Sequence, residues 1–145
     1  MKKAKVVKPK KVSKAKRIKK LRTKCWEVMS LFTRLKFADS QGFVSCVTCG
    51  KRSHYTKMNA GHFIHGALDY NEINVNPQDV RCNKWLHGNL IQYTTYITLK
   101  YGPEMVKILQ TEAAKKIKYT EEELEKILIE LNKKLESVKN GTYIC

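Results

Sequence analysis

The most specific chemistry in this chain belongs to Cys46, Cys49 and Cys82. Cys46-Val-Thr-Cys49-Gly50 has the spacing of a knuckle, in which the glycine allows the turn that lets two thiolates face one ion. Cys82 follows at a distance common for the second half of a tetrahedral zinc site. The position that would complete a second Cys-x-x-Cys holds Asp79. The expected donor set for structural Zn2+ is therefore Cys46, Cys49 and Cys82 with Asp79, or with His54 or His87 in its place. The bland alternative is three buried thiols with no metal.

Between the two halves stand Ala60-Gly61-His62-Phe63, then Asn74, then Asn83 directly after Cys82. Phosphodiester hydrolysis needs a base to activate water and a divalent ion to hold the scissile phosphate. A histidine at the end of a strand can be the base. An asparagine at the start of a facing helix can offer its carbonyl to Mg2+ or Mn2+, and a central asparagine can brace the loop that aims the histidine.

These residues need elements to hold them. Residues 43–53 read as strand, knuckle and strand, and 58–64 as a further strand. Residues 66–71 read as a polar loop and 73–75 as a short extended piece. A helix starts at Arg81 and carries Cys82, Asn83 and Trp85. Upstream, Cys25, Val28, Met29, Phe32 and Leu35 share one face of a helix over 23–38, with Trp26 flanking it and Cys25 a small core residue. Downstream, residues 90–100 have an amphipathic period and Pro103 suits a helix start. Thr120 and Glu123 form a capping box. After it, Leu124, Ile127, Leu128, Leu131, Leu135 and Val138 form a stripe that reads as core, with a dimer seam as the other use. The fold class is α+β: a small zinc-stapled core preceded by one helix and followed by two or three. The divisions are 1–24, a disordered basic arm; 25–42, the first helix; 43–89, the core; and 90–145, a helical region.

Charge sorts with this division. The chain of 145 residues carries 29 Lys+Arg against 13 Asp+Glu, a net +16. Residues 1–24 hold 13 of the basic residues and no acid, so the rest is nearly balanced. Such a segment pairs with phosphates through counterion release, supplying affinity and not sequence choice. Its candidate DNA contacts are Lys10, Lys11, Lys14, Lys16, Arg17, Lys19, Lys20 and Arg22. No window approaches the roughly 18 apolar residues of a membrane span, and no apolar core follows the first lysines as in a secretory signal. An odd count of five cysteines argues for a reducing compartment rather than a disulfide scaffold.

Taken together, Cys46-Val-Thr-Cys-Gly, Ala60-Gly-His62-Phe, Asn71-Glu-Ile-Asn74-Val and Cys82-Asn-Lys-Trp-Leu-His-Gly-Asn89 resemble the phage NinG, or Rap, recombination family within the HNH/ββα-metal endonucleases. The resemblance implies a zinc-stapled nuclease that cuts branched DNA such as Holliday junctions and D-loops. It implies His62 as general base, Asn74 as the central asparagine and Asn83 as a catalytic-metal ligand. The partners expected are branched or double-stranded DNA and other recombination proteins, in the host cytoplasm at the nucleoid and away from membranes; the two-fold symmetry of a junction and the long apolar stripe after Thr120 point to a second copy of the chain. Asp79 departs from the family's cysteine. Gly61 stands where many HNH enzymes have an acid, so a second catalytic-metal ligand must come from Asn59, Asp69 or His87. His65 reads as a solvated residue or a phosphate contact, and Trp85 and Tyr93 as core or rim aromatics rather than stacking platforms. The competing reading is a non-catalytic zinc module that binds DNA.

Overall fold

The computed structural model describes residues 13–144. Its longest element is α1, Lys14–Lys36, capped by Ser13, whose hydroxyl accepts from Lys16 N–H at 3.4 Å. The disordered arm expected over 1–24 is therefore a helix from Lys14 onward, while Lys10 and Lys11 lie outside the described residues. The reason is that the apolar stripe begins earlier than expected: Ile18 and Leu21 precede Cys25 on the same face and pack against the main core. The lysine repulsion is offset across the interface, where Arg17 makes a two-armed ion pair with Glu121, at 2.8 and 3.3 Å. That segment of α4 opens with Glu121, Glu122 and Glu123. The first helix ends at Lys36, two residues short of the expected 38.

Four short strands follow. Strands β1, Phe43–Ser45, and β2, Arg52–His54, pair antiparallel with Ser45 opposite Arg52, so that the knuckle is the hairpin's turn. A single 3-10 turn, Tyr55–Lys57, leads into β3, Asn59–His62. Strand β4, Val75–Gln78, pairs antiparallel with β3, placing His62 opposite Val75 and Asn59 opposite Gln78. The extended piece expected at 73–75 is thus displaced toward the C-terminus, because Asn71 caps a turn that takes up Ile73 and Asn74: its side chain accepts from both of their N–H groups. Residues Arg81–Trp85 form one π-helical turn rather than a helix.

The helical remainder is α2, Leu90–Tyr101; α3, Glu104–Ala114; and α4, Glu121–Lys139. The capping box of Thr120 and Glu123 is present in both directions. Leu124, Leu131 and Leu135 of α4 are buried against Cys25, Met29 and Phe32 of α1, with Ala60 and Val75 of the second hairpin closing the cluster. The α4 stripe is accordingly core, covered by α1 and not free as a dimer seam. A second cluster, around Tyr93, Ile97 and Leu109, packs α2 and α3 on Phe63 and Leu68. The architecture is α+β, with two separate two-stranded sheets.

A partly buried charge network ties the ends of this arrangement. Lys36, whose side chain is 5% exposed, sits over the rings of Phe32 and Phe37 and pairs with Glu72 at 3.2 Å. Glu72 also binds Lys134 of α4 and accepts from the Tyr143 hydroxyl. Burial works against ionised Glu72, but Lys134, Tyr143 and Lys36 together hold it below the ordinary carboxylate range.

Two outcomes follow. Leu124→Ala, at a fully buried position, should cost about 2–5 kcal/mol by chemical denaturation, the range for large-to-small changes in a packed core. The depressed Glu72 carboxyl contributes stability above the ordinary carboxylate range, and that contribution is lost as pH falls through its folded-state value. Glu72→Gln should therefore lower the urea midpoint at about pH 7 and shrink the loss between about pH 5 and 3, compared with wild type.

Candidate metal and catalytic site

The β1–β2 turn and the π-helical turn bring the three cysteines together. The Sγ atoms of Cys46, Cys49 and Cys82 lie within 4.8 Å of one another. Gly50 takes φ +73°, the left-handed conformation the knuckle requires. Burial acts to raise the Cys46 thiol, but the Thr48 hydroxyl and the backbone N–H groups of Asp79, Thr48 and Cys49 outweigh it and hold the thiol below its ordinary value. Cys49 moves the other way, pushed up to about 11 by burial and by the neighbouring Cys82 and Cys46 thiols. A sulfur held toward thiolate by donors, with two more sulfurs beside it, is a donor set that suits a soft or borderline cation. The group could hold a metal such as zinc.

Asp79 does not join it. Its carboxylate pairs with Lys51 at 2.9 Å and accepts from Arg81 N–H at 3.0 Å, which together hold it below the ordinary range against burial. What Asp79 offers the cluster is its backbone N–H toward Cys46. Neither stand-in takes its place: among the described residues the metal-binding group consists of the three cysteines alone. His54 Nδ1 is 2.8 Å from the Thr56 hydroxyl, with its ring against Phe43 and Tyr55. None of the three expected positions supplies a fourth ligand, and the cluster is a set of three thiols.

A polar layer that the sequence reading missed surrounds the thiols. Thr48 Oγ1 lies 3.2 Å from Cys46 Sγ and accepts from Gln78 Nε2 at 3.2 Å, leaving its own proton for the sulfur. The same Gln78 amide donates to the Gly88 carbonyl at 2.8 Å. Asn89 Nδ2 reaches Cys82 Sγ at 3.7 Å. Gln78 also explains Gly61. A Cβ at position 61 would lie 2.0 Å from Gln78 Oε1, so no acid can stand before His62 in this packing.

His62 ends β3 and is only 13% exposed in its side chain. Its imidazole stacks on Trp26 of α1, centroids 4.5 Å apart. Nε2 is 3.2 Å from Asp69 Oδ1, a close approach without the alignment of a hydrogen bond. The Asp69 carboxyl lies below the ordinary range, chiefly through His62, with Arg22 and the Gly66 N–H adding to it against burial. Asp69 is placed beside the imidazole, a position for which the sequence offered no periodic signal. His65 is exposed, with its ring 5.0 Å from that of His62. Burial and His62 together lower its pKa, with Asp69 opposing.

Asn74 is fully buried. Its Oδ1 accepts from Ile64 N–H, and its Nδ2 donates to the Ile64 and Leu68 carbonyls, at 2.8–3.1 Å. The loop that carries Asp69 is thereby fastened to the strand next to His62. Asn83 lines an open cleft of about 370 Å³ together with Trp26, Arg34, Asn59 and Lys84. The Asn59 amide nitrogen is buried there without a partner. His87 was expected one helical turn from Asn83. It is not, because the turn ends at Trp85 and His87, Gly88 and Asn89 all take positive φ.

Of the expected DNA contacts, Lys14, Lys16, Lys19, Lys20 and Arg22 are exposed on α1, and Arg17 is held by Glu121. Among the described residues no helix is long and apolar enough to cross a membrane.

The thiol knuckle, the His-ended strand and the asparagine-bearing turn all lie within the stretch that one family model covers. The family model described as bacteriophage lambda NinG protein matches residues 1–141, and the chain belongs to that family. It is 30% identical over 100 residues to Protein ninG of Escherichia phage lambda, a match covering 66% of this chain. The matched part is 48% of that protein, so the chain spans about half the length of its curated relative. No solved structure matches.

Protein purified without added metal should contain one zinc per chain by elemental analysis. Cys82→Ser should lose it, and Asp79→Cys should slow zinc transfer to a chelator, because a fourth thiolate completes the tetrahedral set. Zinc retained by Cys82→Ser would remove the cluster as the binding site.

Proposed function

We propose that the chain is a metal-dependent DNA endonuclease of phage recombination that hydrolyses phosphodiester bonds in branched DNA. The observation that carries this reading is the His62 imidazole, backed by the Asp69 carboxylate and stacked on a tryptophan that lines a cationic cleft. A DNA-binding module has no use for a histidine held this way.

In this mechanism His62 takes the proton of an attacking water, and Asp69 stabilises the imidazolium that results. Arg34 and Lys84 neutralise the phosphate in the cleft. The water oxygen bonds to phosphorus as the bond from phosphorus to the leaving oxygen breaks, and the leaving oxygen takes a proton from solvent while the imidazolium returns its own to solvent. The order β3, β4 and π-turn supports a ββα-metal, HNH-like assignment of the core, with zinc as the staple between knuckle and turn. Mg2+ or Mn2+ at Asn83 is part of the resemblance. The fit there is thin: the cleft offers the neutral amides of Asn83 and Asn59, and no carboxylate among the described residues lines it. His87 is not among the residues that line this cleft. The exposed lysines of α1 would hold the flanking duplex, and a homodimer acting with other recombination proteins at the host nucleoid fits a two-fold substrate.

The test is His62→Ala on a labelled four-way junction with Mg2+ and with Mn2+. Cleavage should vanish while junction affinity stays within about two-fold of wild type. Undiminished cleavage would place the base elsewhere. A wild type that binds junctions and contains zinc but never cuts would favour the non-catalytic zinc-containing DNA-binding module.

A further inference from the structure

Trp85 is 76% exposed. It does not pack at a rim, as its sequence context led one to expect, whereas Tyr93 is fully buried. Within the next six residues Leu86, Leu90 and Ile91 are also exposed, at 43%, 50% and 81%. Such a ridge of large apolar side chains marks a surface that meets something.

The indole stands on a rigid base. Cys82, in the same turn, is buried in the thiol cluster. Beyond the turn, Gly88 N–H is bound to the carbonyls of Cys82 and Asn83, at 2.9 and 3.2 Å, and Gln78 binds the Gly88 carbonyl. Residues 87–89 hold positive φ throughout, which for His87 and Asn89 is a strained state that surrounding bonds must maintain. The turn therefore holds the backbone that carries Trp85 in place.

Charge decides what it meets. From Val80 to Pro103 the sequence has no Asp or Glu, while Arg81, Lys84 and His87 flank the indole. A protein partner or second copy would bring mixed charge. A nucleic acid brings only phosphate, together with flat bases that stack on aromatic rings. Lys84, next to Trp85, lines the cleft with Asn83. Inside a continuous duplex each base is covered by its neighbours, and a free base face exists only at an end, a branch, a nick or an unpaired nucleotide.

We infer that Trp85 stacks on the exposed base at a DNA branch point and is the residue by which the chain prefers branched DNA to continuous duplex. The inference deepens the reading of the chain as a protein of branched DNA, but its readout is binding and does not depend on cleavage.

The chain has two tryptophans, so 5-fluorotryptophan labelling should yield two 19F resonances, assigned with Trp85→Phe. Saturation with a four-way junction should shift the Trp85 resonance, and saturation with a relaxed, covalently closed circular duplex, which has no ends, should leave it in place. Trp85→Ala should weaken junction binding about ten-fold or more, within the range for loss of one stacked base, and change duplex binding less than two-fold. Trp85→Phe should retain most of the preference. These results without any cleavage would leave the inference standing and sink the nuclease reading. The inference is overturned by a Trp85 resonance unmoved at junction saturation, by equal loss on both DNAs, by no junction binding at all, or by a resonance that moves with protein concentration alone. That last result would assign the ridge to self-association.

Discussion

The whole molecule depends on the seam between α1 and α4. Two hairpins of three- and four-residue strands bury too little apolar surface to stand alone. Helix α1 supplies what they lack: Cys25, Met29 and Phe32 meet Leu124, Leu131 and Leu135 on one side and Ala60 and Val75 on another. Because Trp26 lies beside that stripe and stacks on His62, the helix that makes the core also sets the imidazole. Lys36, Glu72, Lys134 and Tyr143 close the far end with charge.

The thiol cluster and the cleft are not independent. Gln78 joins the knuckle, through Thr48, to the Gly88 turn that follows Asn83. Asn89 returns from that turn to the Cys82 sulfur. A single buried side chain thus sets the spacing between two loops that share no strand. Its bulk is also what leaves room for nothing larger than glycine beside His62. The same packing that orders the site removes a carboxylate from it.

Features carried by residue type at short range were legible in the sequence. The knuckle, its flanking hairpin, the three clustered cysteines, the α4 capping box and the α4 stripe all follow from local rules. So did the α+β class. What escaped depends on partners far away in the chain. The charge of residues 14–24 read as disorder because the acids that balance it lie on α4. Asp79 read as a ligand by spacing alone, but Lys51 claims its carboxylate. The run after Cys82 read as a helix because its composition permits one, whereas three residues of positive φ end it after a single π turn. Asp69 stands in a loop without period, and only the fold brings it to His62.

The seam also has a consequence for how the chain is made. Cys25 binds the Leu124 carbonyl across 99 residues, and Arg17 reaches Glu121 across 104. At a synthesis rate of about 5–20 residues per second, that separation amounts to roughly 5–20 s. Through that interval the apolar face of α1 has no α4 to cover it. Local hairpins and the knuckle can close early, but the core cannot, so a basic, amphipathic helix emerges on the tethered chain before it has a place to go.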